Sequence, residues 1–228
     1  MENDILYQFM NIRAIPPEAV PAFVDSLPPL RREKILSLRE ERKRLQSLAA
    51  GLVSRNLLAS VGISDDLLAY EESGKPYIQN RPEWHISISH SGQYAVCAVS
   101  RSPVAVDIQR HGGIYQAILS SGYTPKEREF CVRARNREQA FYDLWCRKEC
   151  KAKLRPYAHL REIDALTAEP GFQYWKFSIP GYGGALYGAW NFICMAAGAE
   201  TFPCARDTLL PISDTLRRPH GLSFRQPE

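Results

Sequence analysis

Two short segments about forty residues apart hold the side chains best placed to do chemistry: Val104–Arg110 (VAVDIQR) and Leu144–Lys153 (LWCRKECKAK). In the first, apolar residues alternate at Val104, Val106 and Ile108, the period of a strand. The opposite face carries Ala105, Asp107 and Gln109, so two oxygen-bearing side chains point the same way, about 7 Å apart. The second reads as a helix on which Phe141, Trp145, Glu149 and Lys153 fall one turn apart in a single row. An acid on a strand edge and an acid on a core-facing helix turn suit a hard cation such as Mg²⁺ and a polyphosphate substrate. Taken singly, Asp107 also reads as a turn or cap residue, and Glu149 with Lys153 as an i,i+4 surface ion pair.

The segment upstream adds groups of a different kind. Gly74-Lys75-Pro76 is a turn bearing a cation. Ile86 and Ile88 alternate with Ser87 and Ser89, which predicts a half-buried strand ending at His90-Ser91-Gly92. A second strand, Tyr94 to Ser100, follows at once. His90 and its serines would then sit in a tight connection, where hydroxyls, backbone N–H groups and an imidazole can cradle a phosphate. A hairpin turn with a surface histidine fits the same residues.

Gly74-Lys75-Pro76, Ile88–Gly92 (ISHSG), Val106–Gln109 (VDIQ) and Trp145-x-x-Lys148-Glu149-x-x-x-Lys153 resemble, in order and spacing, the motifs of 4′-phosphopantetheinyl transferases. The similarity is greatest to the surfactin-synthetase-activating type, and it runs over about residues 70 to 155. It implies transfer of 4′-phosphopantetheine from coenzyme A to a serine of an acyl, peptidyl or aryl carrier domain, leaving adenosine 3′,5′-bisphosphate. By the same resemblance Asp107 and Glu149 would hold Mg²⁺, and Gln109 would add a neutral oxygen or order a water on the ion. Glu149 would also direct removal of the serine proton, and Lys153, more than Lys148, would stabilise pyrophosphate charge. Ser89 and His90 would take the 3′-phosphate, Lys75 and Pro76 would line the adenine end, and Arg31, Lys34 and Arg44 would supply further phosphate-binding cations. Two positions depart from the family pattern: Gln109 replaces a common acid, and Gln46 stands where an arginine is usual before Ser47-Leu48-Ala49-Ala50.

Composition is consistent with such an enzyme. The 228 residues are 45% hydrophobic, enough to bury a sizeable core. No secretory signal is read at Met1–Asp4, and no apolar run approaches the ~20 residues that span a membrane. Six cysteines without a CxxC pair favour reduced thiols, and with them a cytoplasmic protein. Arg31 to Arg55 is a basic stripe, but no aromatics interleave with it and no nucleic-acid motif accompanies it. Nucleic acid is therefore not expected as a partner. Another metal-dependent phosphoryl enzyme or nuclease would explain the acids but not the Gly-Lys-Pro and Ser-His-Ser segments. A silent homologue that binds carrier proteins or nucleotides would accommodate Gln109, although Asp107, Glu149 and Lys153 are all present.

The elements that must position these groups are a strand over Ile5–Ile12, helices over Pro17–Leu27 and Leu30–Val61, and the hairpin 84–100. The strand holding Asp107 follows, then a helix announced by the capping box Thr124-Pro125-Lys126-Glu127, and a helix near 137–154. Strands are expected at Trp175–Ile179 and Tyr187–Ala197. Trp84-His-Ile-Ser with Ala95–Val99 loosely parallels Trp175-Lys-Phe-Ser with Phe192–Ala196. The fold expected is α+β: two similar α/β halves, residues 1–102 and 103–205, with a cofactor cleft between them and a flexible tail over 206–228. Such a chain needs no partner copy to form its cleft, so a monomer is expected.

Overall fold

The computed structural model describes residues 5–155, 159–189, 193–195 and 204–206. In chain order these form β1 (Ile5–Asn11), α1 (Val20–Asp25), α2 (Pro29–Ser37), α3 (Glu41–Ser60), β2 (Leu68–Tyr70), β3 (Pro76–Ile78), β4 (His85–Ser91) and β5 (Tyr94–Ser100). Then follow β6 (Val104–Arg110), α4 (Gln116–Gly122), α5 (Pro125–Arg133), α6 (Arg137–Leu154), β7 (Phe172–Phe177), β8 (Tyr182–Ala189), β9 (Ile193–Met195) and β10 (Cys204–Arg206). The mixture of helix and sheet is the expected α+β class. No helix among the described residues is long and apolar enough to cross a membrane.

Two four-stranded sheets, in the orders β4-β5-β1-β9 and β10-β7-β8-β6, lie between helices; β2 and β3 form a separate pair. Strand alternation sorts the side chains into layers. Ile5, Tyr7 and Phe9 of β1 meet Val104, Val106 and Ile108 of β6 and Phe177 of β7 in one core between the sheets. Ala95, Cys97 and Val99 of β5 turn the other way, onto Leu48, Leu52 and Val53 of α3. Ala105 of β6 meets Cys146 and Cys150 of α6. Each such aliphatic side chain, fully buried, stabilises the fold by about 1.5–3 kcal/mol.

Three expectations are corrected. The helix foreseen over Leu30–Val61 is two helices, broken where Leu38 and Glu40 take extended backbone. Unbroken, it would run roughly 48 Å at 1.5 Å per residue, too long to pack on one small sheet. The break lets α2 fold back onto α3, where Arg31 donates to the carbonyl of Ser47 at 2.7 Å. Second, β4 continues through Ser91, so His90 lies on a strand and the turn is Gly92-Gln93 alone. Third, the partner of β7 is Tyr182–Ala189, whose first five residues had no expectation attached, and it pairs with both β7 and β6.

Glycine explains why β8 escapes a reading by propensity. A Cβ at Gly183 would lie 2.6 Å from Tyr142, and one at Gly188 would lie 2.7 Å from Ile5. The strand therefore needs bare backbone to sit so close to α6 and β1. Of the segment foreseen as Tyr187–Ala197, residues 190–192 and 196–197 lie outside those described, while β9 pairs parallel with β1. The tail over 206–228 also lies outside them, except Arg206 in β10.

A candidate functional site where the two sheets meet

The chain brings Asp107 and its neighbours together by an unusual seam. Ser87, Ser89 and Ser91 occupy one face of β4, and β6 runs beside that face. Their hydroxyls accept from the backbone N–H groups of Val106 at 3.0 Å, Ile108 at 3.4 Å and Arg110 at 2.9 Å. Three serines at strand period thus do for β4 and β6 what a backbone ladder does elsewhere. Ser89 also donates to Asp107 Oδ1 at 2.7 Å. Its hydroxyl is buried and engaged at the acid, so the structure does not bring it to His90, which projects from the opposite face of β4.

Asp107 is 2% exposed, on the face of β6 that packs against α6. Lys153 reaches it from the last turn of α6, with Nζ 2.8 Å from Asp107 Oδ1 and 2.7 Å from the carbonyl of Val106. The alternative reading of Lys153 as the i,i+4 partner of Glu149 gives way to this longer-range pair. Burial works against the Lys153 ammonium, but the Asp107 charge and hydrogen bond outweigh it and hold its pKa above the usual lysine value. Glu149, one turn earlier, is half-buried; burial first, then the Asp107 charge, raise its pKa against the pull of Lys153. Gln109 Nε2 lies 3.4 Å from Asp107 Oδ2, and Gln109 Oε1 lies 3.4 Å from Ser91 Oγ.

This donor set fits a hard cation. Two carboxylates repel across a half-buried gap, and oxygen ligands suit Mg²⁺. No group of three or more His, Cys, Asp or Glu residues that could hold a metal ion is gathered among the described residues, and the further oxygen beside the two acids is the Gln109 amide.

Glu149 and Lys153 open onto a cleft of about 540 Å³ whose facing wall carries Gly74, Lys75, Pro76, Ser87 and Ile88. A second hollow, about 130 Å³, is lined by Arg31, Lys34, Tyr70, Gly74, Pro76 and His90, so Pro76 and Gly74 border both. Surrounding protein, followed by the charges of Arg31, Lys153 and Lys34, lowers the pKa of His90 even though its ring reaches solvent. Arg44 is not part of this hollow. It lines a separate groove with Ile35, Leu45 and Leu48. Gln46, at the position where arginine is usual, donates to the carbonyl of Gly92 at 2.9 Å and braces the hairpin that carries His90.

Lys148 is turned away from Asp107 altogether. It is fully buried, 2.8 Å from Glu127, and donates to the carbonyls of Leu160 and Ile163. Glu127 in turn accepts from the backbone N–H of Thr124 at 2.7 Å and of Ala165 at 2.8 Å. Lys151 donates to the carbonyls of Asp164 and Thr167, and Arg147 to that of Ala165. One face of α6 thus anchors the segment 160–167 while its edge presents Glu149 and Lys153. The structural role of Glu127 was legible only as the capping-box acid, which is indeed formed. The alternation at Ser87 and Ser89 was visible, but its continuation to Ser91 and its partner strand were not.

Residues 103–178 match the family model of the 4′-phosphopantetheinyl transferase superfamily. The chain is 27% identical over 149 residues to the 4′-phosphopantetheinyl transferase Sfp of Bacillus subtilis (strain 168), covering 63% of this chain and 66% of that protein. It is 38% identical over 82 residues to a 4′-phosphopantetheinyl transferase of Bacillus subtilis, 35% of this chain and 36% of that one. Against the transferase psf-1 of Bacillus pumilus the figures are 35% over 100 residues, 43% of each. The chain thus aligns with less than two thirds of the length of each of these relatives. The segment that holds β6, α5 and α6 is thus the part that matches the 4′-phosphopantetheinyl transferase superfamily, and over part of its length the chain is similar to Sfp-type transferases.

Proposed function

We propose that the protein transfers 4′-phosphopantetheine from coenzyme A to a serine hydroxyl of an acyl, peptidyl or aryl carrier domain, with Mg²⁺ as cofactor. The observation that carries this reading is the Asp107–Lys153 pair beside Glu149, at the edge of a cleft whose other wall carries Lys75 and Pro76. Asp107, Glu149 and Gln109 would hold the ion, which would neutralise pyrophosphate charge.

The serine oxygen forms a bond to the phosphorus nearer the pantetheine, and the bond from that phosphorus to the bridging oxygen breaks. Adenosine 3′,5′-bisphosphate leaves with the electron pair. Glu149 takes the serine proton, for which its raised basicity suits it. Lys153, held charged by Asp107, offers its remaining N–H to the oxygens on which charge accumulates. Arg31, Lys34 and His90 face the 3′-phosphate, and Lys75 and Pro76 flank the adenine. Arg44, on its own groove, is left to longer-range attraction of the anionic donor. Ser89 serves by fixing Asp107.

The two halves, 1–102 and 103–205, are proposed to be structural duplicates enclosing the cofactor. Support comes from strand order: β4-β5-β1 and β7-β8-β6 are each a hairpin followed by the half's first strand, paired antiparallel to the hairpin's second. The cleft lies within one chain, which supports a monomer, and a cytoplasmic location fits a donor made inside cells. Incubation with coenzyme A, Mg²⁺ and apo-carrier domains, followed by intact-mass measurement of the carrier, tests the reading. A gain of one phosphopantetheine per carrier is expected; carriers left unmodified at saturating donor and metal would refute it.

A further inference from the structure

Tyr70 closes β2 and lies between two cations, with no acid among the described residues that line the hollow. Arg31 Nη1 donates to its hydroxyl at 2.8 Å, and Lys34 Nζ stands 4.9 Å from its ring centroid. The same guanidinium is held from the other side by the carbonyl of Ser47 at 2.7 Å. It crosses α3 at Gly51, where an added Cβ would lie 3.2 Å from Arg31 Nε. Glycine inside a helix is less favourable than alanine, so the space it leaves for Leu27 and Arg31 is a reason for its presence. Arg31 is 8% exposed and its Nε has no partner among the described residues. Lys34 has its pKa lowered by burial and then by the charge of Arg31. A buried, partly unsatisfied guanidinium beside a crowded ammonium is a site waiting for an anion.

Resting on the proposed transferase reading, we infer that Tyr70 is a positioning residue: its hydroxyl fixes Arg31 for the 3′-phosphate and so sets discrimination between coenzyme A and dephospho-coenzyme A. The phenol accepts from Arg31 without neutralising it, which a carboxylate at this position would do. The guanidinium is thereby aimed into the hollow that His90 borders, instead of rotating to solvent. Tyr70 acts through Arg31, and the ring's contact with Lys34 is separate from it. Tyr70→Phe keeps that ring and removes only the hydroxyl.

Calorimetric binding of adenosine 3′,5′-bisphosphate and adenosine 5′-monophosphate to the full chain, in wild type, Tyr70→Phe, Arg31→Ala and the double variant, tests this without requiring turnover. The expected result is a loss of about three- to tenfold for the bisphosphate in Tyr70→Phe, the size of one hydrogen bond. The monophosphate should be unaffected, and the tyrosine change should add nothing once Arg31 is gone. In turnover, KM for coenzyme A should rise while kcat and the KM for dephospho-coenzyme A stay constant. Equal losses for both nucleotides, no loss, or a full effect persisting without Arg31 would overturn the role. A wild-type protein that does not distinguish the two nucleotides removes the phosphate pocket and this inference with it. Nucleotide discrimination that depends on Tyr70, found without any carrier modification, would uphold the inference and remove only the transferase reading.

Discussion

Lys153 Nζ stands 2.8 Å from Asp107 Oδ1, so the last turn of α6 is ion-paired to the middle of β6 across their packing interface. The acid is buried and the lysine half-buried, a pairing more costly to break than to keep. The same contact holds a charged donor at the edge of the cleft.

Removing either partner should therefore lower stability before any substrate is present. Asp107→Asn and Lys153→Met are expected to couple by about 1–3 kcal/mol in a urea-denaturation double-mutant cycle, the double variant losing less than the sum of the singles. Strict additivity would mean the contact contributes nothing to the fold.

Lys148 calls for the opposite expectation from its neighbours in the motif. With Lys148 and Glu127 both fully buried, Lys148→Met should cost about 3–5 kcal/mol by stranding Glu127. Turnover per folded molecule should nevertheless fall less than tenfold. A variant of wild-type stability that has lost transfer would return Lys148 to the reaction.

Gln109 moderates charge around Asp107. Gln109→Glu replaces a donor with a second carboxylate near a buried acid, so the metal-free protein should melt at a lower temperature. Mg²⁺ should raise that melting temperature more than in wild type, and half-maximal rate should need less Mg²⁺. Mg²⁺ titrations of melting and of rate check this; an unchanged or larger Mg²⁺ requirement removes Gln109 from the ion.

His90 should take up a proton when the donor binds. Its pKa in the free protein lies below the ordinary histidine value, through burial and then the neighbouring cations, so it is neutral at pH 7. A 3′-phosphate beside it raises that pKa, so affinity gains from His90 as pH falls through the bound-state value and loses the gain above it. Calorimetry of coenzyme A binding in buffers of different ionisation enthalpy should show greater proton uptake by wild type than by His90→Gln. Equal uptake contradicts the contact.

The placement of the candidate side chains was legible where types and spacing alone determine it. The period of two put Asp107 and Gln109 on one face, and the period of 3.6 put Glu149 and Lys153 on one edge of α6. What sequence periodicity cannot supply is the neighbour across space. It could not say that Lys153 pairs with Asp107 instead of Glu149, or that Ser89 is committed to β6. Nor could it say that Lys148 and Glu127 close on each other inside the core. The fold failed to read in two places for local reasons. Strand β8 hides its pairing behind three glycines that close packing demands. The α2–α3 break carries neither glycine nor proline to announce it, being set by the return of Arg31 onto α3.

The most direct measurement is single-turnover transfer to an apo-carrier at saturating coenzyme A and Mg²⁺, comparing wild type with Glu149→Gln and Asp107→Asn. Each variant, shown folded by circular dichroism, should be slower by about a hundredfold or more, the loss expected when a group that stabilises developing charge is removed. Either variant transferring within a few fold of the wild-type rate would contradict the assignment of these acids to the reaction.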